Sequence, residues 1–137
     1  MGTADVNVHG VTKIAIKAGE ILLTSGAEIY RVEDTINRIC NAYKIECESF
    51  VVPTGIFITA YGINGHTVTH VKRIKERTLN IKKIEAVNAF SRSLKDYVPD
   101  YSEAMNILDS IDHDKDEYPF WFKLVATSVT AFAFALL

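Results

Sequence analysis

Cysteine is scarce in this chain: Cys40 and Cys47 are the only two among 137 residues. They form no Cys-x-x-Cys pair, and no histidine or cysteine cluster surrounds them. A disulfide-built scaffold and the common zinc motifs are therefore excluded, and two reduced thiols are expected, one in a helix and one in a strand. An excess of either charge is also missing. The net charge is −2, with basic and acidic residues mixed along the chain, which gives no electrostatic reason to expect a nucleic-acid partner. No nucleotide-phosphate loop, Gly-x-Ser-x-Gly elbow or Cys-His motif accompanies the many serines and threonines. The first ten residues lack the basic-then-apolar order of an export signal, and Val6 stands where a myristoylation signal prefers Ser or Thr. The sequence makes no positive case for an enzyme, for a cofactor or for a metal.

What is present is an ordinary globular composition, 48% hydrophobic and 23% charged, in a length that suits one domain with a real core. Val11, Ile14, Ala15, Ala18 and Leu22 fall on one face at helical spacing, so a helix is expected from Val11 to Leu23. The small residues Ala15, Ala18 and Gly19 would let another helix approach closely. Ser25-Gly26 ends it, and Ser25-Gly26-Ala27-Glu28 also has the form of a capping box that would open a second helix. That helix carries Ile29, Val32, Ile36, Ile39, Cys40 and Tyr43 as one stripe, with Asp34 and Arg38 spaced for a surface pair. Glu33 lies on the border of the stripe, where a carboxylate needs a partner.

From Glu46 the period changes to two. Cys47–Val52, Gly55–Tyr61 and His66–Val71 are strand candidates, joined by the Pro53-Thr54-Gly55 turn and by Asn64-Gly65, a strong hairpin signal. A third helix is expected from Asn80, its cap, to about Tyr97, with Ile81, Ile84, Val87, Leu94 and Val98 on one face, and Pro99 stops it. A fourth covers Ser102–Ile111. The fold class read from this order is α+β: a small antiparallel three-stranded meander packed with about four helices.

The last fourteen residues, Leu124–Leu137, contain no charge. A membrane span takes about 20 residues, and a buried core helix is the plain alternative. The run is apolar on all faces, however, and Pro119-Phe120-Trp121-Phe122-Lys123 before it resembles an interfacial belt. Residues 1–117 are accordingly expected to form a soluble domain, and 118–137 the start of a truncated transmembrane helix.

Two apparent metal patterns fail on geometry. His66 and His70 are four apart in a strand pattern, about 13 Å, too far to share one ion. Asp112, Asp114 and Asp116 alternate like the first ligands of a calcium loop, but the sixth and twelfth positions hold Glu117 and Lys123 instead of Gly and Glu. What remains is a set of polar residues near apolar surfaces: Glu33, Arg73, Arg77, Asn80 and Arg92. They read either as salt bridges fixing helices on the sheet or as a site where an Arg clamps a carboxylate.

Several segments together resemble the threonine/serine exporter family. Leu22–Thr35 resembles its N-terminal signature and Phe50–Phe57 its Pro-Thr segment. Val71–Asn80 resembles its basic stretch, and Ala86–Arg92 and Tyr118–Trp121 the segments that follow. The resemblance implies the cytoplasmic N-terminal domain of an inner-membrane exporter of small hydrophilic solutes, threonine and serine or a dicarboxylate such as succinate. It implies as partners the lipid bilayer, through the C-terminal helix, and further membrane helices or a second small membrane subunit; further copies of the chain are the remaining partner considered. The family's recurring polar positions fall on Gly26, Arg31, Glu33, Thr54, Arg77, Asn80 and Arg92, and the binding candidates are Arg31, Glu33, Thr54, Arg77, Asn80 and Arg92. Gating, assembly and solute binding are the expected roles. A ligand-sensing regulatory module is the alternative. A stand-alone hydrolase is the third reading, and it requires a cleft joining Glu33, Thr54 and Arg77.

Overall fold

The computed structural model describes residues 2–62 and 65–113, with only the backbone given for 2–7. The expected membrane-helix start at 118–137 lies outside these residues, as do Asn64 of the hairpin turn and most of the acidic linker. The order is α1 (Gly2–Thr24), α2 (Ile29–Ala42), β1 (Glu46–Val52), β2 (Gly55–Tyr61), β3 (Thr67–Arg73), α3 (Ile81–Ser93) and α4 (Tyr101–His113). The α+β meander with four helices is what the sequence pattern implies. Among the described residues, no helix is long and apolar enough to cross a membrane.

The strands form one antiparallel sheet in the order β1-β2-β3. Pro53 and Thr54 make the two-residue turn between Val52 and Gly55, which fixes Phe50 opposite Phe57 and Ser49 opposite Ile58. Alternation then decides the faces. Ile56, Ile58 and Ala60 point inward and are fully buried, while Phe57 and Tyr61 point outward. α1 packs on β2 and β3, α2 on β1, and α3 and α4 cover α1 from its other side. The result is three layers with α1 at the centre. Its stripe Val11, Ile14, Ala15, Ala18 and Leu22 is buried throughout. Gly19 is the point of closest approach: a Cβ there would sit 3.0 Å from Ile36 Cδ1 and 3.2 Å from Ile56 Cδ1. A larger residue would force the Ile36 and Ile56 side chains to give way by a few tenths of an ångström.

Three boundaries differ from the sequence reading by more than two residues. α1 begins nine residues earlier than Val11, at Gly2. The Ser25–Glu28 capping box does not form, because α2 starts at Ile29 with Glu28 as its cap and without a side-chain bond. Ser25 belongs instead to the end of α1. There Gly26 adopts φ +91°, its N–H donates to Leu23 O, and Ala27 N–H donates to Leu22 O at 2.9 Å. This is a Schellman closure, and it needs the left-handed residue that glycine supplies without cost. α2 ends in the same way, with Lys44 at φ 62° and Ile45 N–H on Cys40 O.

α3 stops at Ser93, not near Tyr97, and its buried side is Ala86, Val87, Phe90 and Ser91. Ile81, 58% exposed, and Val98 are out of the core. Ile81 sits in the first turn on the exposed side of the helix, and Val98 follows the helix end. Asn80 caps α3 as expected, its Oδ1 accepting from Lys83 N–H at 3.2 Å. The Asp34–Arg38 pair is also present at 3.3 Å.

Candidate functional site

The connection from β3 to α3, residues 74–80, has no regular structure, yet it is tied down at every second or third residue. Ile74 is buried, and its N–H donates to Thr54 O at 2.9 Å. Thr78 N–H reaches Thr24 O at 2.7 Å and Asn80 N–H reaches Ser25 O at 2.9 Å. Between them Arg77 sends Nε to Leu23 O and Nη2 to Ala27 O, both at 3.2 Å. The strap therefore satisfies the carbonyls that the end of α1 leaves open, and Arg77 places a cation at the negative end of the helix dipole.

Laying the strap this way opens a cleft of about 660 Å³ beside it. Its walls are the end of α1 (Glu20, Thr24, Ser25), the end of β3 (Lys72, Arg73), the strap itself and the start of α3 (Asn80, Lys83). Four cationic side chains line it against two carboxylates, Glu20 and Glu76, in a chain whose net charge is negative. Lys72 is paired with Glu20 at 3.6 Å. Lys83 Nζ donates to the Asp112 carbonyl at 2.7 Å. Asp112 is also held by Lys17, at 2.8 Å. Burial by itself would push the Lys17 ammonium down, but the hydrogen bond and charge of Asp112 reverse this, and its pKa is raised.

The polar residues singled out in the sequence are not gathered into one site. Asn80 and Arg73 line the cleft. Arg77 adjoins it along the strap but spends its guanidinium on helix carbonyls. Glu33 has the partner its position demanded: Oε2 accepts from Val51 N–H at 3.0 Å, fixing β1 on α2. Thr54 is exposed in its turn, Arg31 is exposed in the first turn of α2, and Arg92 is exposed in the last turn of α3. Glu33, Thr54 and Arg77 line neither this cleft nor the two smaller ones near Asn37 and Asn41. These three clefts do not join the residues that the hydrolase reading required.

Glu20, Thr24, Ser25, Lys72 and Lys83 were not candidates in the sequence. Lys72 and Arg73 stood in a visible basic run, which is the one signal that could have pointed here. The two thiols face each other from α2 and β1. The hydrogen bond that Cys40 donates to Cys47, then burial, pushes Cys40 up, and the same bond lowers Cys47; neither cysteine is in a disulfide.

The family model for threonine/serine exporters (ThrE) matches residues 13–137. No curated protein and no solved structure shows a match to the chain.

Proposed function

The chain belongs to the threonine/serine exporter family, and from that premise we propose that residues 1–117 form the cytoplasmic-side domain of a membrane exporter of small hydrophilic solutes. Its role in this reading is gating or assembly of the membrane part. The observation that carries it is the extent of the family match, residues 13–137, which takes in both the C-terminal part of α1 and the apolar run Leu124–Leu137. A folded domain followed by an aromatic belt and an uncharged run is the order expected where a chain meets a bilayer. The described domain supports a supporting role, since its polar candidates Glu33 and Arg77 hold secondary structure together. Transporter solute sites usually lie near the bilayer midplane between membrane helices, and the domain is accordingly read as outside the transport path. Threonine, serine and a dicarboxylate are the solutes proposed.

The test is efflux from vesicles carrying the exporter with its membrane helices, with and without a small second subunit. Arg31→Ala and Arg92→Ala are informative variants because both side chains are exposed and neither holds the fold. A loss of flux at unchanged melting temperature supports the gating or assembly role. Full flux from a protein lacking residues 1–117 would overturn it.

A second reading, a ligand-sensing module acting on the membrane part, is favoured by the open basic cleft. It predicts measurable binding of a small solute to the domain, independent of flux.

A further inference from the structure

We propose that the cleft between α1, β3 and α3 is a binding site for a small oxyanion, a phosphate or a carboxylate group, with the Ser25 hydroxyl and the N-terminal end of α3 as its receiving elements. Ser25 carries the argument. It is only 3% exposed and lines the cleft. Its backbone is fully engaged, the N–H with Ile21 and Leu22 carbonyls and the carbonyl with Asn80 N–H. Its hydroxyl, like that of buried Thr35, has no hydrogen-bond partner among the described residues, whereas the buried hydroxyls of Thr12 and Ser91 each donate to a carbonyl; of the two, Ser25 is the one that lines the cleft. A buried hydroxyl without a partner destabilises the fold unless something else completes it. Here the space beside it is open and basic.

The second element is α3. Asn80 and Lys83, its cap and third residue, both line the cleft, so the positive end of the helix dipole is at the wall. The negative end of α1, which lies in the same wall, is neutralised. Its carbonyls are taken by Thr78, Asn80 and Arg77. Lys72 and Lys83 are offset by Glu20 and Asp112, and Glu76 stands with Arg73 and Lys75 in the lining, which leaves an excess of one positive charge there. The field in the cleft therefore favours an anion, and its donors suit oxygen acceptors. A cleft of about 660 Å³ has room for a metabolite that carries such a group.

The inference deepens the ligand-sensing reading and rests on it only for its purpose; its failure would leave the exporter reading to the flux assay. The experiment is a titration of the full chain in detergent micelles, followed by backbone amide resonances. Inorganic phosphate and citrate are added in separate arms, each against sodium chloride at equal ionic strength. Saturable shifts at Thr24, Ser25, Asn80 and Lys83 with phosphate or citrate are expected. A response only to bicelles containing phosphatidylglycerol, and not phosphatidylcholine, would assign the same phosphate chemistry to a lipid headgroup. Asn80→Asp keeps a good helix cap while placing a negative charge in the wall, and should weaken binding at least tenfold. Ser25→Ala should weaken it about fivefold, the loss of one ordinary hydrogen bond, without lowering the melting temperature. Shifts that sodium chloride reproduces in full, or affinity unchanged in both variants, would overturn the proposal.

Discussion

Arg77 was a binding candidate in the sequence, and in the structure it is a cap, so replacing it separates the two roles. Arg77→Met retains the apolar stem and removes the charged donors from Leu23 O and Ala27 O, both held at 3.2 Å. Hydrogen bonds from a charged group contribute about 1.5–3 kcal/mol each when buried, and ordinary ones about 0.5–1.5. Arg77 is exposed overall, so water can replace the guanidinium at the carbonyls and the lower range applies. Two such bonds in the lower half of that range, about 0.5–1 kcal/mol each, give a loss of roughly 1–2 kcal/mol, the helix-dipole attraction included. For a domain of this size that lowers the melting temperature by about 4–16 °C. Arg77→Lys should recover less than half of it, because one ammonium cannot serve two carbonyls on either side of the α1–α2 corner. Thermal unfolding of the full chain, followed by circular dichroism at the helix band, measures both variants. Melting of Arg77→Met within 1 °C of the parent, together with lost transport, would refute the capping role and restore Arg77 to the solute-binding candidates.

Three further outcomes follow from the same geometry. Glu33→Ala leaves the Val51 N–H without its acceptor and should cost about 1–3 kcal/mol in urea unfolding, whereas Glu33→Gln, which keeps an acceptor oxygen, should lose less than half as much. Lys44→Gly relieves a left-handed residue at φ 62° and should gain up to about 1 kcal/mol after the entropy that glycine brings to the unfolded chain is subtracted; a loss of stability would contradict the strain assigned there. His70 is lowered by partial burial first, then by the charges of His9, whose ring lies 5.2 Å away, and Lys13. The unfolded chain therefore takes up a proton more readily than the folded one, so stability is highest above the unfolded value of about 6.5 and falls as pH drops through it. His70→Gln should flatten that part of the stability–pH curve, and an unchanged slope would show that other groups set it.

Much of the fold was legible because single faces decide it. The α1 and α2 stripes, the change to period two at Glu46 and the cap at Asn80 depend on neighbours within a few residues. Ser25-Gly26-Ala27-Glu28 was misread because the same four residues satisfy two local rules. A Schellman closure of α1 and a capping box for α2 compete for Ser25, and the left-handed Gly26 decides in favour of the first. Ile81 and Val98 fit the α3 period, but Ile81 falls on the exposed side of the first turn and Val98 lies beyond the helix end. The cleft as a whole could not be read, although Arg73 and Asn80 in its wall were singled out. Its walls come from residues 20–25, 72–78 and 80–83, brought together by a strap whose route is set by backbone hydrogen bonds and leaves no periodic trace. Glu33 shows the opposite case: its border position in the helix stripe demanded a partner, and only the partner's identity needed the third dimension.

Asp112, near the end of α4, also has a mechanical meaning. Its carboxylate holds Lys17 of α1 and its carbonyl holds Lys83 of α3, so the last turn of α4 is fastened to two other helices at once. Tension applied to the chain after His113 would not simply unravel α4. It would be shared as a load between the central helix and the first turn of α3, and the second of these is a wall of the basic cleft.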